Sequence, residues 1–289
     1  MLRLLVFIFL FQFSLGGFAQ MYSHKKKFGT QQNTVYFYWG YNRSIYTRSN
    51  IQFTSPDYNF TVLDVKASDR PVNKLATYFN PTKFTVPQFN VRVGWYYKHR
   101  WDFSLGYDHM KYVMDGDQTL YIEGYINGTT SSELSGIYNV NTGQIPIRQQ
   151  DLHYENTNGL NYISFQLNNT APLYKTNNRK FAVQRRFGGG FGPVVTQTGF
   201  TWDGVDHQSR FHLAGWGMSL NGGVRFDFFN RFFLMSNWTA GYISLPKNET
   251  IEYQDHYAKQ QFVFGQWELV GGFLFYLRTK NACDSCPDW

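Results

Sequence analysis

Residues 88–113 read QFNVRVGWYYKHRWDFSLGYDHMKYV, and this stretch carries the clearest fold signal of the chain. Apolar and polar residues alternate on both sides of the dipeptide His99-Arg100. An alternation with period two is typical of a β-strand that has one apolar and one polar face. Because only two residues separate the two runs, the pattern predicts a tight antiparallel hairpin.

The same alternation recurs along the chain. It predicts strands over residues 34–46, 88–98, 101–113, 160–168, 180–197, 210–228, 231–244 and 261–278. The links between them alternate between long ones (47–87, 114–159, 198–209, 245–260) and shorter ones (99–100, 169–179, 229–230). Long external loops and short periplasmic turns are typical of transmembrane barrels. We therefore predict an all-β fold, a closed antiparallel up-and-down transmembrane β-barrel of about eight strands. Residues 118–127 could add a hairpin, so ten strands stay open.

The composition also favours contact with lipid. Aromatic residues make up 20% of the chain and charged residues only 16%, whereas a soluble domain usually carries about 25% charged residues. Aromatic residues are enriched where membrane proteins meet the lipid–water interface. The competing interpretation is a secreted β-sandwich, but a sandwich gives no reason for long and short links to alternate.

The N-terminus has the features of an export signal. Arg3 precedes an apolar run, and Gly17 and Ala19 stand at the −3 and −1 positions of a cleavage site before Gln20. We predict a signal peptide at 1–19, a periplasmic segment at 20–33, the barrel at 34–278 and a periplasmic tail at 279–289. In an oxidising compartment, Cys283 and Cys286 of that tail could close a small disulfide loop.

The final strand carries a further signature, GGFLFYLR at residues 271–278. It resembles the C-terminal assembly signal of bacterial outer-membrane proteins, and residues 34–278 as a whole resemble the superfamily of small Gram-negative outer-membrane β-barrels. The aromatic-rich, Asn-rich style also resembles Bacteroidota proteins. The resemblance implies an outer-membrane location with both termini in the periplasm, and contact with outer-membrane lipid and lipopolysaccharide. It carries no catalytic residues across.

Charged residues on the polar faces of the strands are the main site candidates. Their positions predict an inward-facing charged network of Arg92, Lys98, Asp102, Asp108, Arg186, Arg225, Asp227 and Glu268. The lumen of an eight-stranded barrel is just wide enough for side chains to fill, and charges there must pair because an isolated buried ion is costly.

The net charge of +7 does not indicate nucleic-acid binding. Its cations collect at the predicted periplasmic end, whereas the predicted loops after the first are acidic, so we expect no nucleic-acid partner. Searches for nucleotide and metalloenzyme motifs are empty, and we predict neither a cofactor nor a metal site. His207-Gln208-Ser209 resembles the His-x-Ser pair of barrel-type lipid A deacylases over three residues only, so we predict no catalytic residues.

These observations leave three functional hypotheses. The first is a non-enzymatic barrel that acts as a structural, docking or accessory subunit through its external loops, with other outer-membrane or periplasmic proteins as partners. The second is a narrow channel or a conduit for hydrophobic solutes. The third is a lipid A-modifying enzyme. Fold alone does not separate them.

The export signal gives a direct prediction. The protein purified from the membrane should begin at Gln20, because a signal peptidase cleaves after the small residue at −1. Mass spectrometry of the intact protein measures this. A mature chain that still carries residues 1–19 would contradict both the export and the barrel assignment.

Overall fold

The computed structural model describes residues 31–277, apart from 73, 79, 81, 84, 85, 129–132, 179, 253 and 254. The predicted signal peptide and the tail with Cys283 and Cys286 lie outside the described residues. No helix in the described part is long and apolar enough to cross a membrane.

Eight long strands form a closed ring. They are β1 (Thr34–Tyr46), β5 (Phe89–Lys98), β6 (Trp101–Met114), β10 (Leu152–Lys175), β11 (Phe181–Trp202), β13 (His212–Phe228), β14 (Phe232–Glu249) and β15 (Tyr257–Tyr276). Each pairs antiparallel with the next, and β15 pairs with β1 from Thr34↔Tyr276 to Tyr46↔Phe264. The eight-stranded barrel is confirmed. The ten-strand alternative is wrong, because residues 118–126 form a strand that pairs outside the ring.

The connections sort to the two ends of the barrel as predicted. The short turns at 99–100, 176–180 and 229–231 lie at one end, here called the turn end. The long links lie at the other end, here called the loop end, and contain the remaining strands of the described residues. These are β2 (Ser49–Thr54), β3 (Tyr58–Val65), β4 (Ala67–Ser68), β7 (Gln118–Ile126), β8 (Gly136–Tyr138), β9 (Gln144–Ile147) and β12 (Val205–Gln208). A one-turn helix, α1 (Leu75–Tyr78), follows β4.

The outward face of the ring is an apolar belt. Its exposed side chains include Phe37, Val93, Trp95, Phe103, Leu105, Phe165, Leu167, Phe187, Phe191, Met218, Leu220, Leu234, Leu269, Phe273 and Phe275. A closed ring satisfies the backbone groups of every strand, which lipid requires, and apolar side chains on its outside match the hydrocarbon. The fold is therefore a transmembrane β-barrel.

Beyond the belt, the strands at the loop end build a second layer, here called the tower. In the tower β2 pairs with β15 and with β3, β3 pairs with β7, and β7 pairs with β8 and β9. Its interior is a continuous apolar cluster that includes Ile51, Phe53, Phe60, Val62, Ile122, Tyr154, Phe200 and Phe262. The loops are thus folded walls around a core.

Strand β10 is the largest departure from the sequence-based strand bounds. It begins at Leu152 and ends at Lys175, whereas the alternation predicts only 160–168. Register shifts occur between Glu155 and Gly159 and between Pro172 and Tyr174. Such bulges interrupt the period-two pattern, so the alternation marks only the part of the strand between them.

Glycine makes room for the large side chains of the lumen. At Gly94 of β5 an added Cβ would lie 2.1 Å from the ring of Tyr36 on the neighbouring β1. The outward-facing Gly222 on β13 has more room, because its nearest neighbour would be the Phe187 ring at 3.6 Å.

We predict that Gly94→Ala destabilises the barrel by about 1–3 kcal/mol, because overpacking forces side chains and backbone to shift. Gly222→Ala is the matched control and should change stability by less than half of that amount. Urea unfolding of the two variants in detergent micelles measures the difference. Equal stability of both variants would contradict the packing of Tyr36 against Gly94.

Candidate functional site

Seven of the eight predicted interior charges are buried in the lumen. Their side chains point inward from five strands: Arg92, Asp102, Asp108, Arg186, Arg225, Asp227 and Glu268. Lys98 is a correction, because it is exposed at the turn end. The pairing of β5 with β6 shifts register between Trp95 and Lys98, so parity no longer directs Lys98 inward. The shift leaves its ammonium group in water, where it needs no partner.

The first ion pair lies near the turn end. Arg186 of β11 binds Asp102 of β6 through two parallel contacts of 2.9 Å, one to each carboxylate oxygen. This bidentate geometry is the strong form of a charge-assisted hydrogen bond. The Tyr36 hydroxyl donates to the same carboxylate at 2.7 Å and accepts from Arg186 at 2.5 Å. Three strands are tied together at this level.

The second ion pair lies nearer the loop end. Arg92 of β5 is 3.3 Å from an Asp108 carboxylate oxygen and donates to the hydroxyls of Tyr38 at 2.8 Å and Ser164 at 2.9 Å. Its guanidinium lies over Gly106, where an added Cβ would come within 2.3 Å of it. The arginine therefore occupies space that only glycine leaves open.

The third ion pair joins neighbours on β13. Arg225 donates to Asp227 at 3.1 Å and to the Tyr96 hydroxyl of β5 at 2.9 Å. The Phe233 ring lies 5.0 Å from the Arg225 guanidinium carbon. Gln184 of β11 also donates to Asp227. These contacts extend across the lumen, because β5 and β13 are not neighbours in the ring.

Gln31, three residues before β1, narrows the mouth at the turn end. The Gln31 side chain donates to Gln184 Oε1 at 2.8 Å. Strand β11, which carries Gln184, is four places from β1 in the ring of eight and therefore opposite to it. The Gln31 backbone nitrogen also donates to His99 Nδ1 at 3.4 Å. The described N-terminal residues thus cross the opening.

At the loop end the lumen is filled by apolar rings. Phe53 stacks on Phe200 with ring centres 5.4 Å apart, and Phe60 stacks on Trp202 at 5.6 Å. Phe53 and Tyr154 form an edge-to-face contact at 5.8 Å. These side chains are buried. Polar and ionic side chains fill the lumen within the belt, and aromatic side chains fill it within the tower.

One sheet face of the tower carries exposed apolar side chains. Tyr121 and Tyr125 point outward from β7 and are 43% and 47% exposed, and Ile137, opposite Tyr125 on β8, is 84% exposed. Glu123 is exposed between the two tyrosines. The neighbouring strands β8 and β9 pair only with β7, so this face adjoins a free sheet edge. We call Tyr121, Glu123, Tyr125 and Ile137 the tower patch.

The His-x-Ser pair is not arranged as a catalytic dyad. The Ser209 hydroxyl accepts from the Thr198 backbone nitrogen at 2.9 Å and donates to the Arg210 carbonyl at 3.1 Å. Its proton is therefore held by the backbone rather than by His207. A nucleophilic serine needs a base within hydrogen-bond reach.

His256, another histidine near this rim, packs on the tower. His256 Nδ1 lies 2.8 Å from the Tyr58 hydroxyl, and burial, followed by the proximity of His207, lowers the pKa of His256. Among the described residues, no group of three or more His, Cys, Asp or Glu side chains could hold a metal ion.

Sequence reasoning missed the tower and its patch. The stretch QTLYIEGYI alternates between inward Leu120, Ile122 and Ile126 and outward Tyr121 and Tyr125, so the strand itself could be predicted. The pairing of β7 with β3 from the first loop could not be predicted, because it joins segments far apart in the chain. The sequence also did not predict the tyrosines that hydrogen-bond to the lumen arginines, because each pair joins segments far apart in the chain.

Comparisons with solved structures return outer-membrane proteins. The Yersinia pestis attachment invasion locus protein Ail, solved with the heparin analogue sucrose octasulfate, is 12% identical over 84% of this chain and 99% of its own, with a TM-score of 0.34. OprG of Pseudomonas aeruginosa is 11% identical over 86% and 99%, with a TM-score of 0.39. AlkL, solved in lipid bilayers, is 10% identical over 89% and 97%, with a TM-score of 0.37.

No protein-family model and no curated protein matches the chain. The resemblance to small outer-membrane barrels is confirmed at the level of architecture, which rests on the eight-stranded ring itself. The fold and its interior define an eight-stranded transmembrane β-barrel with a side-chain-filled lumen and a folded tower.

We predict that Arg186→Met destabilises the barrel by about 3–5 kcal/mol, because it leaves the Asp102 carboxylate buried without its cation. Asp102→Asn should also be destabilising, and the double variant should cost less than the sum of the two. Urea unfolding in detergent micelles measures all three.

The control for this cycle is Arg48→Met. Arg48 and Asp64 form an exposed ion pair at 2.7 Å, and an exposed pair contributes about 0–1 kcal/mol. Strict additivity of the Arg186 and Asp102 substitutions would show that the two side chains do not interact.

Proposed function

We propose that the chain is a non-enzymatic barrel of the bacterial outer membrane that serves as a docking subunit, with the tower patch as its binding surface. Under this proposal the loop end faces the cell exterior, and the turn end and both termini lie in the periplasm. Outer-membrane lipid and lipopolysaccharide surround the apolar belt.

The observation that carries the proposal is the contrast between the lumen and the tower patch. Three ion pairs with their tyrosines fill the lumen within the belt, and a buried aromatic cluster fills it within the tower. A lumen occupied in this way supports a docking barrel over a channel or conduit. The tower patch, in contrast, leaves large apolar side chains facing outward above the lipid belt.

Apolar side chains of the tower patch are exposed above the lipid belt, where neither lipid nor the core covers them. Above the belt, outward positions of the tower are mostly polar, such as Asn50, Gln52 and Thr61 on the adjacent strands. Clustered exposed apolar residues mark interaction surfaces more often than isolated ones do, and tyrosine is enriched at the centres of interfaces. The patch therefore fits a protein partner.

The negative charge of Glu123 indicates which charge a partner should carry. Glu123 lies between Tyr121 and Tyr125, directly opposite Thr61 of β3. Among the described residues it forms no ion pair. A partner with apolar side chains and one or more cations would pair with this arrangement, since complementary charge fixes register and accelerates association. We expect this partner to be another outer-membrane or cell-surface protein.

The proposal predicts a discrete crosslink from the patch in living cells. A photo-crosslinking amino acid at Ile137 or Tyr125 should give one adduct of defined mass with a protein, because a specific interface holds one partner in one register. The same amino acid at Lys259, which is exposed on the outward face of β15, is the matched control and should give none. Gel mobility and mass spectrometry of the adduct measure this.

A charge-reversal variant distinguishes a specific interface from a crosslink that forms by chance proximity. Glu123→Lys, with the crosslinker at Ile137, should strongly reduce the adduct while the barrel stays folded and surface-exposed. Equal crosslinking from Ile137 and Lys259, or an adduct that Glu123→Lys leaves unchanged, would contradict docking at the patch.

A further inference from the structure

The first long link ends in a segment that carries only positive charges. Residues 70–88 include Arg70, Lys74 and Lys83 and no acidic residue. They come just before β5, which begins at Phe89 and is flanked by β1 and β6. Because β1 and β6 both continue toward the loop end beyond the start of β5, a gap separates them there. The segment contacts both strands at this level.

Two outward-facing cations border the gap, Arg43 on β1 and Lys111 on β6. Just below them is a layer of aromatic side chains. Tyr41 and Phe89 are cross-strand partners, and the Phe89 ring stacks on Tyr107 with ring centres 5.7 Å apart. Aromatic side chains concentrate where the hydrocarbon of a membrane ends, so the cations lie at the level of lipid headgroups. We call Arg43, Arg70, Lys74, Lys83 and Lys111 the basic flank.

Neutral groups of the segment hold the two strand cations in place. Arg43 donates to the Tyr78 hydroxyl, and its guanidinium carbon lies 5.4 Å from the centre of the Tyr78 ring. Lys111 Nζ donates to the Val86 carbonyl at 3.1 Å. Arg43 and Arg70 are close enough for their charges to act on the Lys111 ammonium group. The cations are thus gathered at one place, although they come from different elements.

The carboxylates nearby do not balance the basic flank. Glu155 of β10 pairs with Arg70 at 2.9 Å. Asp69 directs its carboxylate oxygens to the Ser44 backbone nitrogen, at 3.1 Å, and to the Gln88 amide. Among the described residues, the other four cations of the flank form no ion pair. The flank therefore keeps a net positive charge.

Cations of the tower are arranged differently. Arg48 pairs with Asp64 at 2.7 Å, and Arg148 pairs with Asp151 at the same distance. These ion pairs satisfy the charge of each arginine within the protein. The basic flank differs from them in two ways, because it lies at headgroup level and because most of its cations lack a carboxylate partner.

We propose that the basic flank binds the phosphorylated headgroup of lipopolysaccharide in the outer leaflet. Arginine and lysine are the side chains that bind phosphate groups, and cations beside a membrane surface attract anionic headgroups. Acyl chains attached to the headgroup lie along the apolar belt below. Four cations without a carboxylate partner match a headgroup with two phosphates better than one with a single phosphodiester. The proposal rests on the proposed placement of the loop end in the outer leaflet, but not on docking at the tower patch.

The test is native mass spectrometry of the purified full-length barrel in a non-ionic detergent. It compares the dissociation constant of diphosphoryl lipid A with that of the same lipid without its phosphates. The unaltered protein should bind the phosphorylated lipid at least about tenfold more tightly. Lys111→Gln and Arg43→Gln should each lower this preference about fivefold, because each cation contributes separately to the attraction.

The matched control is Arg48→Gln, which removes a cation of the tower and should leave the preference unchanged. Heat-modifiable migration on a gel shows that each variant is folded. Lys111→Gln keeps the test valid if Arg43→Gln, which loses its contacts with Tyr78, fails to fold. Phosphatidylglycerol, which carries one phosphate, should bind more weakly than diphosphoryl lipid A.

Three results would overturn the proposal. They are equal affinity for lipid A with and without its phosphates, equal affinity for phosphatidylglycerol and diphosphoryl lipid A, and a preference that Lys111→Gln lowers no more than Arg48→Gln does. This measurement does not involve the tower patch, so its failure would leave the docking proposal standing. Crosslinking from the tower patch tests docking separately.

Discussion

The pairing of β15 with β1 closes the barrel and makes every other strand of the ring stable in lipid. Lipid offers no hydrogen bonds, so a strand in the belt must be paired on both edges, and only closure of the first strand on the last achieves this. Closure at eight strands leaves a lumen that side chains must fill. Glycine at positions such as Gly94 and Gly106 then gives Tyr36 and Arg92 the space they occupy.

The barrel changes character along its axis. Within the belt it is apolar outside and polar inside, whereas in the tower it is apolar inside and largely polar outside. Strand β10 shows the change within one element. Near the turn end Phe165 faces outward and Asn168 inward, and near the loop end Glu155 faces outward and Tyr154 inward. In one half of the strand the outward side chains are apolar and face lipid, and in the other half they are polar and face water.

The docking proposal rests on this arrangement of the interior. A lumen tied by ion pairs and a tower filled by stacked rings form a rigid support, because well-packed interiors resist rearrangement. Such a support holds the tower patch at a fixed position above the lipid belt. A surface carried on a rigid scaffold loses less entropy when it binds a partner.

Much of the fold could be predicted from local pattern, because a strand with two different faces leaves a period-two signal wherever it is regular. The hairpin at 88–113, the eight strands and the sorting of turns to one end all follow from it. Bulges hid the ends of β10, and a register shift moved Lys98 out of the lumen.

The seven buried charges were found because parity alone directs them inward. Their partners could not be predicted, since Arg186 binds Asp102 only when β6 and β11 come together in the folded sheet. Pairing of distant segments also created the tower, where β7 from the second long loop joins β3 from the first.

Side chains fill the lumen from the turn end to the tower. Conductance of the purified full-length protein in planar lipid bilayers checks this filling, with an open porin in the same bilayer as the positive control. The filled lumen predicts insertion, shown by a heat-modifiable barrel recovered from the membrane, without stable conductance steps. Discrete, reproducible conductance steps from the inserted protein would contradict it.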